Sequence, residues 1–213
     1  VASHLKTEHT ELYVTPKDAM EVIPQLPSMY CEPFSDVSQI PTFLVSSLAK
    51  EHVSVALSGD GGDEIFCGYG RYSRSKYLWD RLNKLPFFLR HFMAKSIPLV
   101  SIENWNKFSS IVPKKTQISE FGDRLYKASE MLSFKSFNQL YRDFLLSNYR
   151  NPELLILNGN EPVTSLVGNE PDLAALNDMQ KMMALDQIAY LPDDILVKVD
   201  RAAMWASLET RIP

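Results

Sequence analysis

The sequence predicts an α/β protein: part of a doubly wound parallel sheet, followed by a largely helical region. Residues 11–15 and 53–57 have strand character, and the apolar spacing between them is typical of helices. A strand, a crossover and a second strand in this order form the unit from which parallel sheets are built. After residue 70 the apolar residues recur at helical spacing instead. We therefore divide the chain into an α/β part, 1–72, and a mainly helical part, 73–213.

Prolines and changes of periodicity place the elements of the first part. Proline interrupts regular structure because it has no N–H to donate and disfavours a helical residue before it. Residues 53–57 are largely β-branched and apolar, as in a strand buried on both faces of a parallel sheet. In chain order, the prediction is a strand at 11–15, a helix at 17–30 interrupted near Pro24 and Pro27, a loop at 32–36, a helix at 41–51 and a strand at 53–57.

The second part is predicted to consist of helices separated by turns that contain proline or serine. Pro192 is expected to end the longest of these helices, and Asp193 and Asp194 to cap a further helix. Residues 154–167 are left unassigned, because Gly159 and Pro162 interrupt them. The predicted helices are 71–84, 87–97, 118–132, 134–147, 173–191 and a last one that runs to about residue 209.

The composition is that of a globular protein, and it argues against a nucleic-acid partner and a membrane partner. Of 213 residues, 45% are hydrophobic and 23% are charged, so the chain can bury a core. A net charge of −4, without a lysine–arginine cluster, argues against a nucleic-acid partner. No apolar run approaches the roughly 20 residues that span a bilayer, so we expect no membrane partner. Cys31 and Cys67 lack metal or redox spacing, which favours reduced thiols and a cytoplasmic location over a disulfide between them.

Most of the functional information lies in the loop 58–64, Ser-Gly-Asp-Gly-Gly-Asp-Glu. It follows the predicted strand 53–57, at the carboxyl end where open α/β sheets bind ligands. Glycine amides approach a phosphate closely, but three carboxylates repel a bare phosphate unless a divalent cation lies between them. The spacing fits neither a Walker A loop nor a dinucleotide fingerprint. The alternative is a surface turn in which Asp63 and Glu64 cap the next helix.

A second group of charged residues falls on one face of the last predicted helix. Asp194, Lys198 and Arg201 are spaced i, i+4 and i+7, so that Asp194 and Lys198 can pair. Lys198 and Arg201 place two positive charges side by side, which is favourable when a phosphate or pyrophosphate lies between them. The alternatives are a solvated helix face with ordinary pairs and a buried structural ion network.

Three long motifs in a fixed order carry a family resemblance. They are residues 32–36 leading to 39–42, residues 56–66 followed by Gly68 and Tyr69, and residues 191–202 continuing through 207–213. Together they resemble the synthetase domain of glutamine-dependent asparagine synthetases. Residues 7–15 are similar to the family strand near the adenosine site, and the resemblance is weakest between 75 and 170.

The resemblance implies a fold of the ATP pyrophosphatase type, also called adenine nucleotide alpha hydrolase-like, and a two-step reaction. The β-carboxylate of aspartate attacks the α-phosphate of ATP to give β-aspartyl-AMP and pyrophosphate. Ammonia from glutamine then displaces AMP and yields asparagine. ATP and Mg²⁺ are the implied cofactors, and aspartate and glutamine or ammonia are the implied substrates.

The resemblance also implies roles for individual residues. Asp60 stands where relatives carry a Glu or Asp that is proposed to act at the amide-forming step, as a base towards ammonia. The implied site consists of Ser58, Gly59 and Asp60 at the nucleotide, Asp63 at the metal, Asp36 and Asp194 at the substrate, and Asp60, Lys198 and Arg201 in catalysis.

Several family features are missing from residues 1–213. The Ser-Gly-Gly-x-Asp-Ser pyrophosphate loop, the amino-terminal glutaminase domain with its cysteine nucleophile, and a later lysine that stabilises pyrophosphate are not found. Cys67 stands where glycine is usual, and Ala203 where serine is common. We therefore expect a piece of a longer enzyme that is inactive alone, has the glutaminase domain as its partner, and is compatible with a homodimer.

Two other functions are compatible with the same motifs. One is a related ligase that forms an amide or a β-lactam from another carboxylate, or that modifies a surface polysaccharide, since substrate choice in one fold depends on few residues. The other is a catalytically inactive nucleotide-binding or interaction module.

Overall fold

The computed structural model describes residues 1–110, 120–146, 156, 159, 162–166, 168–169 and 171–212. The chain divides into two compact units, and the first is formed by both ends of the chain: Val1–Phe66 and Gln187–Pro213. Cys67–Asp186 forms the second unit. The sequence-based division falls between residues 72 and 73, whereas these units divide after Phe66, and the last predicted helix belongs to the first unit.

The elements up to the middle of the chain are mostly short helices. They are α1 (Ala2–Leu5), α2 (Pro16–Val22), a 3₁₀ turn (Ile23–Gln25), α3 (Leu26–Tyr30), α4 (Gln39–Lys50), β1 (Val55–Leu57), α5 (Gly62–Phe66), α6 (Gly70–Leu82), α7 (Phe87–Ser96), a 3₁₀ turn (Ile97–Leu99) and α8 (Ile102–Ser110). The elements that follow are α9 (Phe121–Met131), α10 (Phe137–Leu140), a π-helix (Tyr141–Leu146), α11 (Asp178–Leu185), a second π-helix (Asp186–Ile195), α12 (Leu196–Trp205) and β2 (Glu209–Arg211). None of the described helices is long and apolar enough to cross a bilayer.

The sheet of the first unit pairs β1 with β2 in parallel, with Val55 opposite Glu209 and Leu57 opposite Arg211. The Glu209 amide donates to the Ser54 carbonyl at 3.0 Å, and the Ser58 amide donates to the Arg211 carbonyl at 2.8 Å. This parallel pairing between distant segments is consistent with an α/β chain. The two strands end at the same edge, where the loop 58–64 begins.

Two strand predictions need correction. Residues 11–15 form no strand, because the end of this segment is used to start a helix: Thr15 caps α2 in a reciprocal capping box with Asp18. The predicted strand 53–57 is shorter than expected, and it is not buried on both faces. Val55 and Leu57 are 52% and 76% exposed, since β2 is its one strand neighbour among the described residues.

Helix α12 is central to the first unit. It packs against α3, α4 and β2. Ala202 and Ala203 are fully buried, and Ala202 forms an apolar cluster with Met29 and Tyr30. Alanine side chains allow neighbouring helices to approach closely, so α12 holds the α3–α4 segment beside the strand pair.

The second unit has an aromatic core. Tyr72 and Trp79 of α6 pack against Phe137, Tyr141 and Met182. At the end of α11, the fully buried carboxylate of Asp186 accepts hydrogen bonds from Tyr72 and Tyr141. A charged side chain is therefore part of this core.

The helix between residues 173 and 191 differs from the prediction at both ends. It begins at Asp178, because Asn177 caps it in a reciprocal box with Gln180. Pro192 does not end it, since the chain continues as the π-helix Asp186–Ile195. In an α-helix the proline ring clashes with the carbonyl four residues earlier, whereas a π-helix pairs residues five apart and has wider turns.

The remaining helix predictions are confirmed with shifted ends. Asp193 and Asp194 do not cap a helix, because they lie inside the π-helix, and α12 ends at Trp205 before β2 begins. Helix α8 was not predicted; the Ser101 hydroxyl accepts from the Asn104 amide at its start, a signal that the sequence contains. Residues 118–119 and 147, and most of 154–167, lie outside the described residues.

Cys31 and Cys67 are not joined to each other by a disulfide bond. Each adopts a left-handed backbone conformation, with φ of 62° at Cys31 and 59° at Cys67. Cys31 follows α3, and its amide donates to the Pro27 carbonyl at 3.0 Å. This is the helix C-terminal position at which glycine is usually found.

We expect Cys31→Gly to raise the free energy of unfolding by about 0.5 kcal/mol. A left-handed conformation costs a residue with a Cβ about 1 kcal/mol, and the greater freedom of glycine in the unfolded chain offsets part of that gain. Urea denaturation measures the difference. Cys31→Ala is the matched control, because it removes the thiol and keeps the Cβ. An equal gain in both variants would attribute the effect to the thiol and contradict the backbone explanation.

Candidate functional site

The loop 58–64 connects the carboxyl end of β1 to α5. The Gly62 amide donates to the Gly59 carbonyl at 3.2 Å, which closes a tight turn. Gly61 has φ of 85°, a conformation that side chains rarely adopt. Helix α5 starts at Gly62, so that Asp63 and Glu64 lie in its first turn, as the capped-turn alternative predicts. The ligand-site and capped-turn interpretations are therefore compatible with the same geometry.

The acidic side chains of this loop differ in burial. Glu64 is buried, and its backbone carbonyl accepts from the Gln187 side chain at 3.1 Å. Asp60 is half-buried and Asp63 is exposed, and within the described part of the chain neither carboxylate has a hydrogen-bond partner. The Ser58 hydroxyl oxygen is buried and also has no partner there. Buried polar groups are rarely left unpaired, so Ser58 is suited to contact a ligand.

The structure brings Asp36 and Lys198 together, although 162 residues separate them. The Lys198 ammonium donates to the Asp36 carboxylate and to the Ser38 hydroxyl, both at 2.9 Å. The other Asp36 oxygen accepts from the Ser38 amide at 2.7 Å and from the Ser38 hydroxyl at 2.6 Å. The two side chains of the ion pair are only 9% and 11% exposed. This geometry is the buried structural ion network that the sequence left open.

The acidity of Asp36 reflects this network. Burial alone would raise the pKa of the Asp36 carboxyl, but hydrogen bonds from Ser38 and the Lys198 ammonium lower it below its ordinary value. Asp36 is therefore ionised at neutral pH. Helical spacing allowed Asp194 to pair with Lys198; in the structure Lys198 donates to Asp36, and Asp194 lies in the π-helix.

Tyr30 connects Arg201, the other cation of α12, to this network. Its hydroxyl donates to the Lys198 carbonyl at 3.3 Å, and its own carbonyl accepts from the Arg201 guanidinium at 3.3 Å. The ring stacks on Phe34 with centroids 4.7 Å apart. Burial, with a contribution from the charge of Asp36, raises the pKa of Tyr30 to about 12, so the hydroxyl stays protonated.

Two members of this network, Tyr30 and Ser38, were not predicted. Ser38 could have been found, since a serine two residues after an aspartate often hydrogen-bonds to it. Tyr30 had no such signal, because its partners are the backbone carbonyl of Lys198 and the side chain of Arg201. Of the predicted residues, Asp36, Lys198 and Arg201 share one network, while Ser58, Gly59, Asp60 and Asp63 share the loop.

A pocket of about 550 Å³ lies beside the Tyr30–Phe34 stack. Its walls include Ile23, Leu26 and Pro27, with Glu32 as the charged side chain. An apolar pocket with one carboxylate does not suit a phosphate. The groups that suit phosphate chemistry are instead the loop 58–64 and Arg201.

The described residues contain no cluster of three or more His, Cys, Asp or Glu side chains that could hold a metal ion by themselves. Mg²⁺ in nucleotide sites does not need one. It is held by one or two carboxylates, with phosphate oxygens and water completing an octahedral shell. Asp63, the predicted metal ligand, has no hydrogen-bond partner among the described residues and fits that requirement.

Comparison with known proteins gives a consistent result. A family model described as asparagine synthase matches residues 1–213. Putative asparagine synthetase (glutamine-hydrolyzing) 2 of Methanocaldococcus jannaschii is 31% identical over 207 residues, 96% of this chain and 36% of the relative. Asparagine synthetase (glutamine-hydrolyzing) 1 of Bacillus subtilis is 30% identical over 212 residues, 100% of this chain and 31% of the relative. No solved structure matches the chain significantly.

The chain spans about a third of the length of these curated relatives. A shorter match covers 74 residues of asparagine synthetase (glutamine-hydrolyzing) 3 of Arabidopsis thaliana at 40% identity, which is 32% of this chain and 12% of the relative.

Proposed function

The chain belongs to the asparagine synthase family, and from this premise we propose that its full-length protein is an ATP-dependent carbon–nitrogen ligase that makes asparagine. Aspartate is adenylated to β-aspartyl-AMP with release of pyrophosphate, and ammonia from glutamine then replaces AMP. The observation that supports this most directly is the parallel pairing of β1 with β2. It places the loop 58–64 at the carboxyl edge of the strands, where α/β sheets bind nucleotides.

The loop residues bind the nucleotide in this proposal. Ser58 donates its free hydroxyl to ATP, and Gly59 allows the backbone to approach the phosphates. Asp63 would hold Mg²⁺, which when bound would neutralise the charge of the phosphate oxygens. In this proposal Asp60, which is half-buried, contacts the nucleotide and accepts a proton from ammonia in the second step.

The two cations of α12 have different roles in this proposal. Lys198 is occupied by Asp36 and Ser38, so it fixes the 32–38 segment on α12. Arg201 has one of its N–H groups engaged by the described residues and stabilises the charge that develops on pyrophosphate. Asp36 is thereby proposed as a positioning residue instead of a substrate ligand. Asp194 is kept as the candidate contact for the aspartate substrate.

Other parts of the proposal concern the full-length protein. Its relatives are named as glutamine-hydrolysing enzymes. We therefore propose that the full-length protein has a glutaminase domain of its own, which supplies the ammonia. Residues 1–213 alone are expected to be inactive. A cytoplasmic location and a homodimer complete the proposal.

The deciding test is ATP–pyrophosphate exchange by the full-length protein with Mg²⁺ and aspartate. Exchange that depends on aspartate supports adenylation of this substrate. Exchange that requires another carboxylic acid would select a related ligase instead. Binding of ATP without exchange by any acid would point to an inactive nucleotide-binding module.

We expect Asp63→Ala to lower the exchange rate by at least about 100-fold, because the charge of the phosphates is no longer balanced. Asp63 is exposed, so the melting temperature should stay unchanged. Asp60→Ala is the matched comparison from the same loop: it should retain more exchange than Asp63→Ala and lose asparagine formation. Equal loss of both steps in the two variants would show that the roles of Asp60 and Asp63 are misassigned.

A further inference from the structure

Helix α7 of the second unit presents an apolar face that no other element of the described residues covers. Phe88, Leu89, Phe92 and Met93 lie at i, i+1, i+4 and i+5, and we call these four residues the α7 ridge. Phe88 and Phe92 are 74% and 67% exposed. Exposed apolar patches of this kind mark interaction surfaces.

The opposite face of α7 anchors the helix to its own unit. Arg90 is buried, its guanidinium lies 5.2 Å from the ring of Trp79, and it donates to the Phe134 carbonyl. His91 stacks on Phe87. The ridge is therefore held on the outside of a fixed helix and is not a frayed end that happens to be exposed.

The stretch of sequence that contains the ridge carries charges of one sign. Between Asp80 and Glu103 the sequence contains no acidic residue, but it contains Arg81, Lys84, Arg90 and Lys95 in a chain with a net charge of −4. Arg81, Lys84 and Lys95 are exposed. Asp80, at one border, is already paired with Lys76.

We propose that the α7 ridge is a peripheral docking surface for anionic lipid membranes. A helix that lies in the plane of a bilayer inserts its apolar side chains among the lipids and directs its cations to the headgroups. Anionic headgroups attract each neighbouring Lys or Arg. This contact requires no membrane-spanning helix, and it revises the expectation of no membrane partner. It is independent of the proposed function.

Charge complementarity favours this occupant over a second copy of the chain. Two copies that met at the ridge would bring Lys84 and Lys95 of each close to the cations of the other, which is unfavourable. Phe88 and Phe92 are largely exposed, and a bilayer interface can surround such side chains without a preformed groove.

The test is co-sedimentation of the full-length protein with vesicles of phosphatidylcholine containing phosphatidylserine, and with vesicles of phosphatidylcholine alone. We expect binding to the anionic vesicles only. Replacing Lys84 and Lys95 with Gln should weaken it about tenfold, and Phe88→Ser with Phe92→Ser should weaken it by at least about tenfold. Val37→Ser, at a 97% exposed apolar position in the first unit, is the matched control and should leave binding unchanged.

The melting temperature of the Phe88→Ser, Phe92→Ser variant distinguishes a free ridge from a covered one. A free ridge predicts an unchanged melting temperature, because the lost side chains face water. A lower melting temperature would mean that the ridge is packed inside the full-length protein, and it would overturn the proposal. Equal binding to both kinds of vesicle, no binding to either, or a change of oligomeric state in the variant would overturn it too.

Discussion

Asp36→Ala is expected to lower the free energy of unfolding by about 3–5 kcal/mol, because it leaves a buried ammonium without its counter-charge. The Lys198 side chain is 9% exposed, and after the substitution its one remaining side-chain partner among the described residues is the Ser38 hydroxyl. Ser38 itself loses the carboxylate that accepts from its amide and hydroxyl. The loss therefore includes both an ion pair and two hydrogen bonds to a charged group.

A double-mutant cycle isolates the ion pair from the other contacts. Lys198→Met keeps the length of the buried stem and removes the charge, so Asp36→Ala combined with Lys198→Met should cost less than the sum of the single substitutions. Contacting charged residues typically couple by about 0.5–3 kcal/mol. Urea denaturation of the four proteins provides the measurement. Additive effects would show that Asp36 and Lys198 do not depend on each other.

Because of the same pair, the free energy of unfolding should decrease as the pH falls into the acid range. The folded protein lowers the pKa of Asp36 below the value of about 4 that it has in the unfolded chain. The unfolded chain therefore binds the proton first, and the contribution of Asp36 is complete above about pH 4 and lost as the pH falls through the folded pKa. Asp36→Asn should remove this part of the acid-dependent loss.

Local patterns in the sequence were sufficient to predict the loop 58–64 and its position after a strand. An apolar run followed by glycines and acids needs only its neighbours to form a turn and the start of a helix, and the structure has both. Patterns of the same kind failed at residues 11–15, because strand character without a partner strand is weaker than a helix cap.

The partner of Lys198 could not have been found from helical spacing. Spacing places Asp194 one turn before Lys198, but the π-helix that ends at Ile195 changes the faces on which those residues lie. Asp36 competes for the same ammonium through a contact across 162 residues, which no local pattern contains. The tertiary fold thus decided which of two plausible acids became the partner.

Asp186 illustrates the same limit in the second unit, where no sequence pattern singled it out. Its carboxylate is fully buried and accepts from the hydroxyls of Tyr72 at 2.6 Å and Tyr141 at 2.8 Å. Arg71 forms an ion pair with it. Burial, and then the negative charge of Asp186, raises the pKa of Tyr141, so its hydroxyl remains a hydrogen-bond donor.

We expect Asp186→Ala to lower the free energy of unfolding by about 3–5 kcal/mol, because three groups lose one shared acceptor. Tyr72→Phe and Tyr141→Phe should each cost less, about 1.5–3 kcal/mol, since each removes one hydrogen bond to a charged group. Urea denaturation compares the variants.

Asp186→Asn separates the charge of Asp186 from its shape. An amide has nearly the same volume, but it cannot neutralise Arg71, and its NH₂ group faces tyrosine hydroxyls that already donate. Asparagine should therefore recover less than half of the stability that alanine loses. Full recovery by asparagine would contradict a charged core, and the role of Asp186 would then be that of a neutral hydrogen-bond acceptor at the junction of α11 and the π-helix.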